Sequence, residues 1–492
     1  MALVFVGFMG AGKSSALDDV LDTDALLEDQ LGMSIASFFA AYGERRFRQR
    51  EEPVVLRALR SGAPAIALGG GSLQSETVRA ALREHTVVWM DVSDKLAWKR
   101  AAGAARPLAA DRQAFADLHA ERRPLYESVA DAFLPEGDRL VRRALPALKA
   151  LAEAPPGTKL VWATAGRSEY PVYVGRGLVG GLPRPGRRAF VVTDEHVGPI
   201  YGERLRDAHH TITIPAGEEH KTLTVAERVW RELAARGMGR DDHLVALGGG
   251  VVGDLAGFCA AAYQRGVPIV QVPTTVVAQV DSAYGGKTGV DLPEAKNYVG
   301  AYHQPAAVIS DVDTLDTLPP EEHAAGYAEV VKTALIAGGS LWERVSSGAP
   351  VEERIVLDCA RAKIAVVAAD ERDGGVRQLL NLGHTVGHAI ETVTGYRRYR
   401  HGEAVALGLL AALRLSDRAE LREQVAELLA ATGLPTQLEG VDAADVVAAI
   451  RLDKKRIGDR VPFVLVRAPG DVSFGRRVRS DAVLAAVTEL IE

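Results

Sequence analysis

The chain has 492 residues, 47% hydrophobic and 25% charged, and its 58 basic and 64 acidic side chains leave a net charge of −6. That length exceeds one hydrophobic core and suggests about three units at roughly 150 residues each. The charge balance excludes a global basic field for holding nucleic acid or an anionic membrane. Any anionic ligand must be met by cations gathered in a pocket. Two cysteines, Cys259 and Cys359, fit a reducing compartment better than a disulfide framework. Residues 2–9 are apolar, but no positive segment precedes them, and no run approaches ~18 uninterrupted apolar residues. The expectation is a cytoplasmic protein with neither nucleic-acid nor membrane partners.

Strand-like runs at 3–6, 64–68 and 86–91 alternate with helical patterns, which predicts a parallel sheet faced by helices. The first strand leads into Gly7-Phe8-Met9-Gly10-Ala11-Gly12-Lys13-Ser14-Ser15. Glycines in such a loop let backbone N–H groups curl around phosphate oxygens. Gly10, Gly12, Lys13, Ser14 and Ser15 are the candidate nucleotide residues, with Lys13 reaching the β/γ-phosphates and the Ser14 hydroxyl holding Mg²⁺. Asp22-Thr23-Asp24, Gly43-Glu44, Phe47-Arg48, Glu51, Gly69-Gly70-Gly71, Arg106-Pro107-Leu108 and Arg122-Arg123-Pro124-Leu125-Tyr126 follow in order. A helix-like stretch over 138–151 stops at Ala152–Gly157, where paired prolines and a glycine cannot continue it. The expected division is a P-loop domain at 1–150, a linker at 151–160, an α/β part at 161–318 and a helical part at 319–492.

Beyond the linker, β-branched runs at 170–174, 189–193, 243–247 and 268–272 alternate with helical patterns such as 224–237. Gly248-Gly249-Gly250 ends one strand and opens a helix, a turn that permits close approach to a pyrophosphate. Thr274 and Thr275 close another strand where a ligand could sit. From 319 onward, Ala/Leu/Glu-rich segments at 321–337, 352–370, 381–394, 402–416 and 418–431 carry helical spacing, and 462–466 with 473–475 reads as a small hairpin. His384 and His388 share a helix face at i, i+4. His401 follows, and Glu329 lies in a helix upstream. Two imidazoles and a carboxylate with an open position suit catalytic Zn²⁺, and spacing alone pairs His384 with His388. Arg265, Lys287, Lys296, Lys332, Lys363, Arg377 and Lys454 or Lys455 sit beside these motifs, which suits a multiply charged anionic substrate.

Residues 1 to about 150, on the motifs quoted above, resemble shikimate kinase. The resemblance implies that Asp24, Arg48, Gly70 and Arg122 bind shikimate and that Asp22 supports Mg²⁺ with ATP. It also implies that Asp24 orients or deprotonates the attacking hydroxyl and that Arg106 belongs to a lid. Only eight residues separate Lys13 from Asp22, about two helical turns fewer than the family places there.

From about Glu169 onward, Val280-Asp281-Ser282-Ala283-Tyr284-Gly285-Gly286-Lys287, Lys296-Asn297, His303-Gln304-Pro305, Ala328-Glu329-Val330-Val331-Lys332 and Gly383-His384-Thr385-Val386-Gly387-His388-Ala389-Ile390-Glu391 resemble 3-dehydroquinate synthase. The family assigns Glu329, His384 and His401 to Zn²⁺ or Co²⁺, leaving His388 for substrate and proton work. Asp281, Lys287, Lys296, Asn297, Lys332, Lys363, Arg377, Asn381 and Lys454 or Lys455 then form the substrate pocket, and Arg265 reaches it from the partner of a homodimer. The resemblance also implies that NAD contacts Asp194, Glu218, Lys221, Gly249, Gly250, Asp254, Thr274 and Thr275, while His196 stands where the family commonly has asparagine. The resemblance implies oxidation of a seven-carbon keto-acid phosphate, phosphate loss, re-reduction, ring opening and aldol closure, with NAD regenerated. The expected fold is therefore α/β: a P-loop kinase domain, then a Rossmann-like part and a mostly helical metal-binding part. Rival readings are a non-catalytic P-loop module, a related sugar-phosphate cyclase and a polyol dehydrogenase.

Overall fold

The computed structural model describes residues 1–101, 111–137, 140–182, 184–453 and 460–491, without the side chains at 451–453 and 460. Arg106, Lys454 and Lys455 lie outside the described residues. The chain forms two compact units, Met1–Trp162 with Pro171–Tyr173, and Ala163–Tyr170 with Val174–Glu492.

The first unit runs β1 (Leu3–Val6), β2 (Leu21–Asp22), α1 (Thr23–Leu31), α2 (Ile35–Leu59), β3 (Ala65–Ala67), α3 (Glu76–Ala81), β4 (Thr86–Met90), α4 (Asp94–Ala101), α5 (Arg112–Val129), β5 (Ala132–Leu134), α6 (Leu140–Glu153) and the start of β6 (Lys159–Ala165). Its strands lie in the order β2-β3-β1-β4-β5-β6, all parallel. Helices on the faces explain why Val4, Phe5, Ile66 and Val88 are wholly buried, the continuous apolar pattern of a covered parallel sheet. Past the proline pair, Leu160 and Val161 register against Ala132 and Phe133. Residues 159–162 therefore extend this sheet. After Lys13 the backbone makes only a three-residue 3₁₀ turn, Lys13–Ser15, before reaching β2. Gly10 and Gly12 adopt φ of 82° and 87°, left-handed conformations that a side chain would strain.

Strand β7 (Ser168–Gly175) has its middle residues in the first unit and its ends in the second. The second unit contributes β8 (Ala189–Asp194), α7 (Val197–Tyr201), β9 (Ala208–Ile214), α8 (Leu223–Ala235), β10 (His243–Gly248), α9 (Gly250–Ala262), β11 (Ile269–Pro273), the antiparallel hairpin β12 (Lys287–Leu292) and β13 (Ala295–Tyr302), and β14 (Ala307–Asp311). The order β14-β11-β10-β8-β9 is parallel throughout. Phe190, Val192, Ile212, Val229, Leu233 and Leu255 form one core between this sheet and its helices. Helices follow: α10 (Pro320–Ala337), α11 (Gly339–Ser346), α12 (Glu353–Ala369), α13 (His384–Val393), α14 (His401–Leu415), α15 (Ala419–Ala431) and α16 (Ala443–Asp453). The hairpin β15 (Arg460–Ala468) and β16 (Asp471–Arg479) then precedes α17 (Ser480–Ile491).

Glycines set how closely α14 approaches its neighbours. A Cβ on Gly402 would sit 1.8 Å from the Ala325 carbonyl oxygen of α10, and one on Gly408 1.9 Å from that of Gly383 at the head of α13. Both contacts are backbone, so only a helix shift could make room. Gly408→Ala is expected to destabilise this unit by about 1–3 kcal/mol through overpacking, read as a lower urea midpoint. It should also displace His384, with which α13 begins. An unchanged midpoint would mean the helices slide freely.

Candidate active sites

Three helices of the second unit converge on Glu329. It lies in α10, whose start carries Pro320 at the first position and Glu321 and Glu322 in the first turn, all favourable at a helix N-terminus. His384 opens α13 after Gly383, held at φ 79°, and His401 opens α14, where the Glu403 carboxylate accepts from the Arg400 N–H at 2.8 Å. Glu329 Oε1 is 3.5 Å from Nε2 of both histidines, and one ligand atom from each residue falls within 4.8 Å of the others. One carboxylate and two imidazoles at that separation suit a tetrahedral Zn²⁺ or Co²⁺ with a position left for substrate. The His388 ring centroid is 5.2 Å from that of His384 and 5.9 Å from that of His401. Although His384 and His388 share a helix face, the atoms that reach Glu329 belong to His384 and His401.

The site is built from compensated charge. Burial favours a protonated Glu329, but Lys332 foremost, then the two histidines, hold it well below the ordinary carboxylate range. Burial pulls His384 down to about 3. It also works against a charged His401, yet hydrogen bonds to Glu329 and Glu391 raise that imidazole to about 10. Glu329 and Lys332 are each 1% exposed and paired. Lys332 Nζ and Lys363 Nζ also reach Asp281, at 3.4 and 2.9 Å. Burial lowers Lys363 overall, and Lys332 nearby adds to that, so Lys363 is the weaker cation of the two.

The remaining sequence-derived residues spread more widely. Lys296 Nζ lies 3.2 Å from Glu391 and 3.8 Å from Glu218. Arg377 is buried and donates to the carbonyls of Gly285, at 3.0 Å, and Glu371. Lys287 is half exposed and paired with Asp373, while Arg265 and Asn297 are exposed at positive φ. Asn381 ends a 3₁₀ turn, Val376–Asn381, just ahead of α13.

The turn between β10 and α9 presents Gly249 as the cap of a 13-residue helix beginning at Gly250, a position suited to pyrophosphate. Lys221 gathers Glu218 at 2.7 Å, Asp254 at 3.4 Å and Asp291 at 3.8 Å. Burial pushes the Asp254 carboxyl up to about 6. Thr274 Oγ1 is buried without a partner among the described residues, and Thr275 caps the following turn, accepting from the Ala278 N–H at 3.2 Å. Asp194 Oδ1 accepts from the N–H groups of His196 and Val197, at 2.9 and 2.8 Å, which shapes the loop without using the His196 ring. A glycine turn, a helix start and an unspent hydroxyl at strand ends fit a dinucleotide.

In the first unit Lys13 Nζ donates to the carbonyls of Gly7 and Phe8, at 2.9 and 3.1 Å, and Ser14 is exposed. Asp22 Oδ1 accepts from the Asp24 N–H at 2.8 Å and caps α1. The Gly69–Gly71 turn is the meeting point of the other residues. A Cβ on Gly69 would lie 2.5 Å from Asp24 Oδ1, and one on Gly71 2.2 Å from the Arg48 guanidinium. The Gly70 carbonyl accepts from Arg122 at 3.3 Å and from the Tyr126 hydroxyl at 2.5 Å. Arg48 is held by Glu44 at 2.9 Å and by the buried Glu51 at 2.6 Å, and Ser72 Oγ donates to Glu51 at 2.8 Å. Asp24, Arg48, Gly70 and Arg122 thus surround one turn, next to the P-loop strand β1.

Comparisons with known proteins now bear on both units. Residues 211–325 match the family model described as 3-dehydroquinate synthase N-terminal, and residues 326–456 match 3-dehydroquinate synthase C-terminal. The 3-dehydroquinate synthase of Symbiobacterium thermophilum is 46% identical over 349 residues, spanning 65% of this chain and 97% of the relative. That of Acidithiobacillus ferrooxidans is 42% identical over 352 residues, spanning 66% and 96%. The chain belongs to the 3-dehydroquinate synthase family. Residues 9–149 match the shikimate kinase family model. The chain is accordingly a bifunctional shikimate-pathway enzyme, a kinase joined to a cyclising, phosphate-eliminating synthase.

The synthase fold is shared with 2-deoxy-scyllo-inosose synthase solved with carbaglucose-6-phosphate, NAD⁺ and Co²⁺, at TM-score 0.62 and 23% identity over 68% of this chain and all of that one. The 2-epi-5-epi-valiolone synthase of Streptomyces hygroscopicus, solved with NAD⁺ and Zn²⁺, gives 0.61 and 24% over 67% and 98%. No described helix of this chain is long and apolar enough to cross a membrane. The sequence reading of the synthase assigned no role to Glu391, which touches both His401 and Lys296. The signal was its place in α13, seven residues after His384 and so on the same face after two turns. In the kinase, Glu51 and Tyr126 belong to the sequence motifs, but their work shows only in the fold: Glu51 holds Arg48 and Tyr126 holds the Gly70 turn.

Proposed function

We propose that the second unit cyclises 3-deoxy-D-arabino-heptulosonate 7-phosphate to 3-dehydroquinate with release of phosphate, and that the first unit phosphorylates shikimate with ATP. The synthase reading is carried by Glu329, His384 and His401 standing within 4.8 Å of one another and beside two buried lysines on Asp281. When bound, Zn²⁺ or Co²⁺ would supply Lewis acidity toward a substrate alcohol, and NAD would supply reversible hydride transfer. Glu329, His384 and His401 would hold the metal. Gly249, Gly250, Thr274, Thr275, Asp194, Glu218, Lys221 and Asp254 would hold the dinucleotide.

The protein's own residues supply grip and proton control. Lys332, Lys363, Lys296, Asn297, Arg377 and Lys287, with Lys454 or Lys455, meet the substrate's phosphate and carboxylate. A dianion entering this region gains from cations that Asp281, Glu391 and Asp373 already hold in place, so little ordering is left to complete. In this reading His388 and Asn381 move protons near the metal. Arg265 serves the neighbouring subunit of a homodimer formed through the synthase unit. In the kinase, Asp24 orients or deprotonates the acceptor hydroxyl while Arg48, Arg122 and Gly70 clasp shikimate. Gly10, Gly12, Lys13 and Ser15 cradle ATP phosphates, Ser14 and Asp22 serve Mg²⁺, and Arg106 closes over the nucleotide. This fits a reaction that needs alignment and charge neutralisation more than covalent help. The enzyme acts in the cytoplasm on small molecules.

The test supplies the seven-carbon phosphate with NAD⁺ and Co²⁺ and follows phosphate release and NADH together. One phosphate per turnover with no net NADH is expected, whereas accumulating NADH would point to a dehydrogenase. Adding ATP, Mg²⁺ and shikimate should then release ADP in a shikimate-dependent way. Bound ATP without that release would remove the kinase assignment.

A further inference from the structure

Glu391 is 2% exposed, and both of its oxygens are engaged. Oε2 is 3.2 Å from His401 Nδ1, and Oε1 is 3.2 Å from Lys296 Nζ. His401 turns its other nitrogen, Nε2, toward Glu329 Oε1 at 3.5 Å. Metal binding displaces the Nε2 proton, and an imidazole whose Nδ1–H stays on a carboxylate then offers its Nε2 lone pair to the metal in a fixed orientation. Lys296 is bracketed as well: Glu218 lies 3.8 Å away, and the Tyr396 ring lies under its ammonium, 4.4 Å to the centroid. Tyr396 is itself fixed to the end of α13, donating its N–H to the Glu391 carbonyl at 2.8 Å at φ 58°.

We infer that Glu391 is a positioning residue serving two groups at once. One oxygen sets His401 in the tautomer and rotation that offer Nε2 to the metal, and the other tethers Lys296, which the proposed function assigns to the substrate pocket. Metal binding and substrate grip thereby share one buried anchor. This rests on the metal-site reading given above. Glu391 touches neither reacting atoms nor metal in this role. Its removal therefore frees the His401 ring to rotate and lets Lys296 follow Glu218 and the Tyr396 ring alone.

The test uses the full chain, stripped of metal and titrated with Co²⁺ against a competing chelator. Glu391→Ala is expected to weaken Co²⁺ binding roughly 10- to 100-fold, the usual loss when a metal ligand's hydrogen-bonded partner is removed, and to raise KM for the phosphate substrate. Glu391→Gln keeps an acceptor for Nδ1–H and should recover most of the Co²⁺ affinity but not the KM. Lys296→Met should raise KM while leaving Co²⁺ affinity within about twofold, which separates the two arms. Should Glu391→Ala fail to fold, the Gln variant's split between affinity and KM decides the matter alone. Wild-type Co²⁺ affinity in Glu391→Ala would overturn the inference. So would a second equivalent of Co²⁺ per chain that only this variant loses, because Glu391 would then be a ligand together with His388 and His401. If the unaltered chain takes up no Co²⁺, the metal-site reading itself has failed and not merely the role of Glu391.

Discussion

Glu329→Gln is expected to lower cyclisation by on the order of 10³-fold or more, since losing a coordinating charge should exceed the ~10- to 100-fold typical of outer-shell partners. Glutamine keeps the size and one acceptor oxygen but cannot balance Lys332, to which Glu329 is paired while both are 1% exposed. Leaving a buried ammonium short of an anion costs about 3–5 kcal/mol when no other partner remains. Asp281, 3.4 Å from the same Nζ, makes the loss smaller here. Pairing Glu329→Gln with Lys332→Met should therefore recover thermal stability and leave turnover absent. Rates and metal content equal to the unaltered enzyme in Glu329→Gln would remove the metal centre from this glutamate.

The second large effect is expected from Asp24→Asn in the kinase. Its carboxylate stands at the Gly69 turn with Arg48 and Arg122 close by. A group that accepts a proton or aligns a hydroxyl contributes roughly 10²–10⁴-fold. Shikimate-dependent ADP release should fall by that factor, with ATP affinity nearly unchanged because Lys13 and the loop glycines are untouched. Phosphate release by the synthase should be unaffected, since the two units have separate active-site residues. An asparagine variant that still phosphorylates shikimate at the original rate would displace Asp24 from its role.

What could be read ahead of the structure depended on how far each signal reaches along the chain. The alternating strands and helices announced parallel strands in both units because apolar runs such as 243–247 and 86–89 are buried on both faces. Strands of three residues, such as Ala132–Leu134, are too short to carry a period. The hairpin Lys287–Tyr302 is legible only as a motif: burial alternates along Tyr298–Tyr302, but Tyr298, Val299, Gly300, Ala301 and Tyr302 put apolar or small residues on both faces, so the sequence shows no polar–apolar period. Histidine spacing found the face of α13 but not the ring directions: His384 and His388 differ by 86° in plane, and His401 enters from another helix. Resemblance supplied that triad, whereas Glu391 stayed hidden because a glutamate in a helix is usually solvated. The shortened segment after Lys13 was visible by counting, and the structure gives it a form: a single 3₁₀ turn.

The lysine beneath Glu329 has a bearing on how the enzyme matures. With that carboxylate neutralised by Lys332 and the lysine shared with Asp281, the helices can assemble around an empty pocket without stranding a buried charge. Newly made protein in zinc-poor cells should then persist as a well-formed precursor that ripens when metal becomes plentiful. Starvation would silence the cyclase reversibly, with no burden of unfolded chain for proteases to clear.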